Sequence, residues 1–380
     1  MSNIFAAIDL GSNSFHMIVG RQEGDQVIIL DKLREMVRLA SGLDENNNIN
    51  EQAMETALAC LSRFGERIRH LHADVVRIVG TNTLRKARNA REFMREAEKL
   101  LGQPIEIISG IEEARLIYNG VAHHVDSDNG RRLVVDIGGG STEIIIGERF
   151  APLYMESTYM GCFNMTRQFF SSGKITEKKI NRARLHALLE LEPYIRAYRK
   201  LGWQDAIGAS GTVRAIQKIA IAEKWSERYI TYDVLTRLTD HFIKAGHIDE
   251  IKLSGLKKER QPVSVGGVIV LRAIFEEFNI EHMQVSDGAL REGILYDLLG
   301  REESHDVRSE SINSFANRFA LDHEHSQRVV DTAMKLLQQI DPDWLIDAEE
   351  ADKYLRWTAQ VHEAGLTIAH SHYYRHGAYL

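Results

Sequence analysis

The chain has 380 residues, 44% of them apolar and 27% charged, with a formal net charge of −7. That length accommodates two or three domains, and the acidic balance excludes a global basic field for nucleic acid or anionic membrane. Two cysteines, Cys60 and Cys162, argue against a disulfide framework and fit a reducing compartment.

The opening "MSNIFAAIDLGSN" has neither a basic n-region nor a long apolar stretch, so no signal peptide is expected. No window approaches the roughly 20 apolar residues of a membrane span, and a cytoplasmic protein is expected. Residues 5–20, "FAAIDLGSNSFHMIVG", run from a strand into Asp9, then Gly11, Ser12, Asn13 and Ser14, then a second apolar run. A third strand-like run follows at 26–31; short Val/Ile-rich runs broken by Gly, Ser and Asn read as hairpins. "NEQAMETALACLSRFGERIRHL" places Met54, Leu58, Leu61 and Ile68 on one helical face, with Asn50 as cap. Strands are expected at 75–80 and 104–109, with a helix over 111–120. Such alternation implies an α/β fold.

Residues 133–148, "LVVDIGGGSTEIIIGE", repeat the opening plan: a strand, Asp136, then Gly138, Gly139, Gly140, Ser141, Thr142 and Glu143, then a second strand and a third at 151–157. The chain therefore reads as internally duplicated. A long helix is expected over 176–200, a strand in "DAIGAS" leading to Gly211, and a strand running into a helix over 283–299. From about residue 301 the texture becomes polar, then helical, and carries His323, His325, His362, His370, His372 and His376. The chain is expected to end inside a domain.

A glycine-rich turn lets consecutive N–H groups converge on a phosphate, and Ser or Thr hydroxyls add donors. A carboxylate at the end of the preceding strand suits a hydrated Mg²⁺. Two such turns facing each other make a phosphate cleft, with Asp136 and Glu143 for the ion. "IGASGTVRAI" supplies a third anion site, Ser210, Gly211 and Thr212 at a helix start. Arg85, at a strand-to-helix junction, has the reach of a phosphate ligand; Arg91 and Arg95 read as a solvated helix face. Glu112 and Glu113 fall in a first helical turn, about 100° apart, so at most one faces a given cleft. A glutamate that only orients water suffices for phosphoryl transfer.

Seven segments, "AIDLGSNSFHM", "VGTNTLRKA", "ISGIEEARLIYNGV", "VVDIGGGSTE", "MGC", "GASGT" and "SDGALREG", occur in the order of the exopolyphosphatase / guanosine pentaphosphate phosphohydrolase (Ppx/GppA) family. The resemblance covers essentially the whole chain. It implies an α/β fold of two ribonuclease-H-like domains of the actin / sugar kinase / Hsp70 superfamily around a phosphate cleft, residues 1–126 and 127–300. A partial all-α HD-like domain would follow at 301–380. It also implies Mg²⁺-dependent hydrolysis of a terminal phosphoanhydride. Glu113 falls on the catalytic position, and Asp136 and Glu143 on the metal-associated carboxylates. Asp9, Ser12, Asn13 and Arg85, then Gly138, Gly139, Gly140, Ser141 and Thr142, then Ser210, Gly211 and Thr212, fall on the substrate-binding segments. Arg291 is read as structural, near substrate at most. Within the family, glycine at position 140 leans to exopolyphosphatase. The expected substrate is thus inorganic polyphosphate, with guanosine pentaphosphate as the alternative.

The same resemblance implies a homodimer and, in some members, peripheral attachment to the inner membrane; the net charge of −7 gives the expectation of no nucleic-acid partner. His325 and the His362–Glu363 pair fall where HD domains carry metal ligands. Glu stands for the usual Asp there, and histidines without metal are expected. An ATP-dependent kinase and a non-catalytic alarmone sensor are the rival readings.

Overall fold

The computed structural model describes residues 4–23, 26–125, 130–302, 312–313, 315–317, 319–340 and 348–380. The chain separates into two compact units, residues 1–299 and 300–380.

In the first unit, strands β1 (Ile4–Leu10), β2 (Phe15–Glu23) and β3 (Gln26–Glu35) form an antiparallel meander. Helix α1 (Glu51–Leu71) follows; Asn50 caps it by accepting from the Ala53 N–H. Next come β4 (Val75–Gly80), α2 (Asn82–Lys86), α3 (Ala90–Leu101), β5 (Ile105–Ile107) and α4 (Gly110–Ala122). The second half repeats the plan. It has a meander of β6 (Arg131–Ile137), β7 (Thr142–Glu148) and β8 (Ala151–Thr158), then α5 (Cys162–Phe170), α6 (Glu177–Leu201), β9 (Asp205–Ala209) and α7 (Ser210–Ala222). It closes with β10 (Ile230–Thr231), α8 (Tyr232–Ala245), α9 (Gln261–Phe278), β11 (His282–Val285) and α10 (Leu290–Glu302).

The two sheets run β3-β2-β1-β4-β5 and β10-β11-β9-β6-β7-β8. Without the added β10, the second order is the first one over again: three antiparallel strands, then two parallel ones. The fold is α/β, with two ribonuclease-H-like lobes of the actin-like type followed by a helical domain.

The apolar patterning explains the layers. Alternate residues of a strand point to opposite faces. Ala6, Ile8 and Leu10 enter the outer core of lobe I with Phe64 and Phe93. Leu133, Val135 and Ile137 enter the outer core of lobe II. Phe5, Ala7, Val134 and Ile145 face a third core between the sheets, filled by α4 and α10. Strands buried on both faces read as continuous apolar runs. Glycines bring the two central helices together: a Cβ on Gly120 would lie 2.0 Å from the Ala289 carbonyl oxygen, and one on Gly293 would lie 1.8 Å from that of Leu116.

The second unit contains α11 (His323–Leu337), α12 (Ala348–Val361) and α13 (Tyr373–Tyr379), with a small core of Ala316, Leu321 and Ala364. Among the described residues no helix is long and apolar enough to cross a membrane.

Candidate active site

A cavity of about 440 Å³ opens between the two lobes of the first unit. Its floor is where the strand ends of the two repeats meet. Asp9 and Asp136 are each the next-to-last residue of their strands, β1 and β6, so the duplicated strand–turn plan brings both carboxylates to the cavity. Ser12, Asn13, Gly138, Gly139, Gly140 and Ser141 line the walls, as do Ser210, Gly211 and Thr212.

The three-glycine turn is held from behind. The Cys162 N–H donates to the Gly138 carbonyl at 2.9 Å, the Phe163 N–H to that of Gly139 at 2.9 Å, and the Asn164 amide to that of Gly140 at 2.8 Å. The carbonyls are thus turned to the start of α5, and the N–H groups of Gly139 and Gly140 have no protein partner among the described residues. Such a row of backbone donors suits an anion. The opposing loop is close: a Cβ on Gly139 would sit 3.1 Å from Ser12 Cβ, and one on Gly140 would sit 2.4 Å from Asn82 Oδ1.

The third loop is shaped by Ser210, whose φ of 80° is unusual for a residue with a side chain. Its hydroxyl accepts from the N–H groups of Thr212 and Val213 at 3.2 and 3.3 Å. The Arg260 guanidinium lies against Gly211, 2.0 Å from where a Cβ would stand.

Glu113 lines the cavity from the first turn of α4, and Glu112 does not. Ser109 caps that turn by accepting from the Glu112 N–H at 3.1 Å. Glu113 is buried, and desolvation pushes its pKa up while Arg85 pulls it back. Asp136 is raised to about 7, by burial first and then by Glu113. Asp9 is raised to about 8, again by burial first, then by Glu113. Glu143, directly opposite Asp136 on the paired strand, is raised well above its ordinary value by burial, Glu113 and Asp136. Ser157 Oγ donates to Glu143 Oε1 at 2.8 Å. Four buried carboxylates therefore oppose one another's ionisation, and Asp9 Oδ1 is buried without a hydrogen-bond partner. A hard divalent cation would relieve both conditions, and oxygen donors suit Mg²⁺; among the described residues no three of these carboxylates bring ligand atoms within 4.8 Å of one another, so water and phosphate oxygens would complete its shell.

Three expected ligands stand elsewhere. Glu143 does not line the cavity: it is 1% exposed, and its Oε1 is taken up by Ser157. Thr142 is fully buried, and its hydroxyl donates to the Met160 carbonyl, so it braces the turn rather than offering a donor to the cavity. Arg85 does not line the cavity; its Nη1 donates to Glu113 Oε2 at 3.0 Å and to the Ile108 carbonyl at 2.7 Å. Arg291 does line it, donating to His16 Nδ1 at 2.8 Å. Burial and the nearby Arg291 hold the His16 pKa well below its ordinary value, which keeps it a neutral acceptor.

Sequence reasoning missed the basic wall. Arg34 from β3, Arg214 and Lys218 from α7, and Lys257 and Arg260 ahead of α9 line the same cavity. The i, i+4 spacing of Arg214 and Lys218 was the available signal; the others come from separate segments that only the fold assembles. In the second unit, His325, His362 and Glu363 gather with ligand atoms within 4.8 Å of one another.

A profile of the Ppx/GppA phosphatase family matches residues 17–302, and one of domain III of that family matches residues 307–380. A guanosine-5'-triphosphate,3'-diphosphate pyrophosphatase of Aeromonas hydrophila is 43% identical over 379 residues, 100% of this chain and 76% of that protein. One of Vibrio cholerae, with the same coverages, is 44% identical. Among solved structures, the Aquifex aeolicus PPX-GPPA enzyme superposes with TM-score 0.66 at 25% identity, over 78% of this chain and 99% of that one. An exopolyphosphatase from Cytophaga hutchinsonii reaches TM-score 0.72 at 24% identity, over 79% and 98%, a likeness of fold alone.

These relatives correct the lean to exopolyphosphatase. The chain is similar over its whole length to guanosine pentaphosphate pyrophosphatases at 43% identity, although it carries Gly140. Asn82 Oδ1 lies 2.4 Å from where a Cβ on Gly140 would stand, so this position also meets the opposite lobe.

Proposed function

We propose that this chain, which belongs to the Ppx/GppA phosphatase family, removes the terminal phosphate from the 5'-triphosphate of guanosine 5'-triphosphate 3'-diphosphate. It is a hydrolase of phosphoanhydride bonds. The observation that carries the substrate reading is the polarity of one cavity: carboxylates and glycine turns on its floor, and cations from β3, α7 and the segment before α9 on its wall. A nucleotide with phosphates on both its 5' and 3' sides matches both surfaces. The 5'-triphosphate lies against the glycine turns, and the 3'-diphosphate against Arg34, Lys218 and Lys257.

Glu113 accepts a hydrogen bond from the attacking water and takes its proton as the new P–O bond forms. The bond from the terminal phosphorus to its bridging oxygen breaks, orthophosphate leaves, and the shortened diphosphate departs on the nucleotide. A raised carboxylate pKa suits this proton transfer near neutral pH. The N–H groups of Gly139 and Gly140 orient the phosphate and offset its charge. Mg²⁺ would be held at the cavity by Asp136 and Asp9, with water and phosphate oxygens completing its shell and Glu143 behind Asp136 on the paired strand, and would neutralise charge on the phosphate oxygens.

The test is orthophosphate release with Mg²⁺ from guanosine pentaphosphate, long polyphosphate and ATP side by side. Preference for the pentaphosphate, lost by about 10³-fold in Glu113→Gln without loss of fold, is the expected result. Preference for polyphosphate or ATP overturns the substrate. Near-full turnover by Glu113→Gln overturns the role of Glu113. Asp136→Asn should move the Mg²⁺ activation curve to higher concentration, and an unchanged curve removes Asp136 from the metal site.

A further inference from the structure

Behind α4, on the side away from the cavity, lies a second group of charges that the reaction does not use. Asp297 of α10 has a side chain 1% exposed, yet it carries two ion pairs. Its Oδ2 accepts from Arg77 Nη1 at 2.8 Å, and its Oδ1 from Arg115 Nη2 at 2.8 Å. Arg115 grips Glu112 with both arms, at 2.7 and 2.9 Å. Arg77, on β4, closes the ring by reaching Glu112 Oε1 at 3.6 Å and is braced on Glu106 at 2.9 Å.

We propose that Asp297 is a positioning residue for Glu113: through Arg77 and Arg115 it fixes the rotation of the first turn of α4, and so the place of the catalytic carboxylate. This rests on the reading of Glu113 as the base.

Three observations carry it. First, the ring grips α4 at residues 112 and 115, on either side of Glu113. Successive helical residues project about 100° apart, so a turn locked at Glu112 also locks the direction of Glu113. Second, the rest of α4 is held by other means. Gly120 and Gly293 let α4 and α10 approach at Leu116 and Ala289, and the Asn119 amide donates to the Gly293 carbonyl at 3.1 Å. Those contacts lie beyond residue 115; the first turn is held by its Ser109 cap, by Ser157 packed against Gly110, by Arg85 on Glu113 and by the ring, of which only the ring grips the turn through Glu112 and Arg115. Third, a buried ion-pair network adds little stability over apolar packing of the same volume. What it supplies is geometry, since each guanidinium fork accepts its carboxylates in few orientations. Glu113 is then held from two sides, by Arg85 at its carboxylate and by the ring at its backbone. An ångström of misplacement costs a general base much of its rate.

The test is a double-mutant cycle on the full chain with guanosine pentaphosphate. Asp297→Asn should lower kcat about tenfold, leave KM unchanged, and leave the residual rate of Glu113→Gln untouched. Equal losses in both backgrounds overturn the proposal, because a general defect of the fold slows the reaction whether or not Glu113 is present. So does an unchanged kcat. If Asp297→Asn does not fold, Glu112→Gln, which alters the ring at its more exposed corner, enters the same cycle with the same expectations. Full turnover by Glu113→Gln itself would sink the reading of the base, and this inference with it. Additive losses with a Glu113→Gln slowed about 10³-fold would sink this inference alone.

Discussion

Arg85 and Glu113 form an ion pair at the mouth of α4: Nη1 lies 3.0 Å from Oε2 and also holds the Ile108 carbonyl at 2.7 Å. The arginine that the sequence places as a phosphate ligand thus holds the carboxylate proposed as the base. The pair also sets the acidity of Glu113, because burial raises its pKa and Arg85 lowers it.

Arg85→Gln removes the lowering influence, so the Glu113 pKa rises further. A base works only when deprotonated. The acid limb of the kcat profile should therefore move to higher pH, and the plateau should fall about 10²-fold as the carboxylate loses its anchor. A pH–rate profile checks both; a limb that stays in place would show that Glu113 does not govern it.

Gly161 tests the glycine turn without touching a charge. A Cβ there would lie 2.4 Å from the Gly139 carbonyl carbon and 2.5 Å from the Gly140 nitrogen. Backbone cannot yield as a flexible side chain does, so Gly161→Ala should push the turn toward the cavity. We expect a KM increase of about tenfold and a stability loss of about 1–3 kcal/mol from overpacking. Unchanged KM with the stability loss alone would mean that the turn does not contact substrate.

The metal-free protein should be less stable at pH 8 than at pH 5. Asp9 and Asp136 have folded pKa values of about 8 and about 7, above their ordinary value of 3.8. The folded state then binds more protons than the unfolded one across this window. The stabilisation is fully present below the unfolded pKa and is lost as pH rises through the folded values, by about 1.4 kcal/mol per pH unit for each proton difference. Thermal melts in chelator check the direction. Mg²⁺ should restore the midpoint at pH 8, and Asp9→Asn should flatten the slope.

Strand–turn duplication was legible because both copies carry the same order of residue types: Asp9 with Ser12, Asp136 with Ser141. Regular local signals gave α1 and its Asn50 cap, and the long helix α6. What escaped depends on convergence. Arg34, Lys218 and Lys257 look like ordinary surface charges in their own segments, and only the closing of the two lobes aims them at one cavity. Thr142 was misplaced because a hydroxyl at a turn end can face either side, and here the Met160 carbonyl claims it. The pairing of Arg85 with Glu113 was not legible because the two lie 28 positions apart. The lean drawn from Gly140 rested on one turn position, and similarity over the whole chain outweighs it.

The basic wall separates the proposed substrate from simpler triphosphates. Lys218 and Lys257 are exposed at the cavity edge, away from the four carboxylates, so neutralising them should leave the chemical step alone. A charge-assisted contact to phosphate contributes about 1.5–3 kcal/mol, which is roughly tenfold or more in affinity. Lys218→Met and Lys257→Met should each raise KM for guanosine pentaphosphate about tenfold at unchanged kcat. For GTP, which lacks the 3'-diphosphate, KM should barely move. The difference should shrink as salt rises, because the contacts are screened at the rim. Equal KM increases for both nucleotides would place the 5'-phosphates, not the 3'-diphosphate, against this wall and would reverse the orientation of substrate in the cavity.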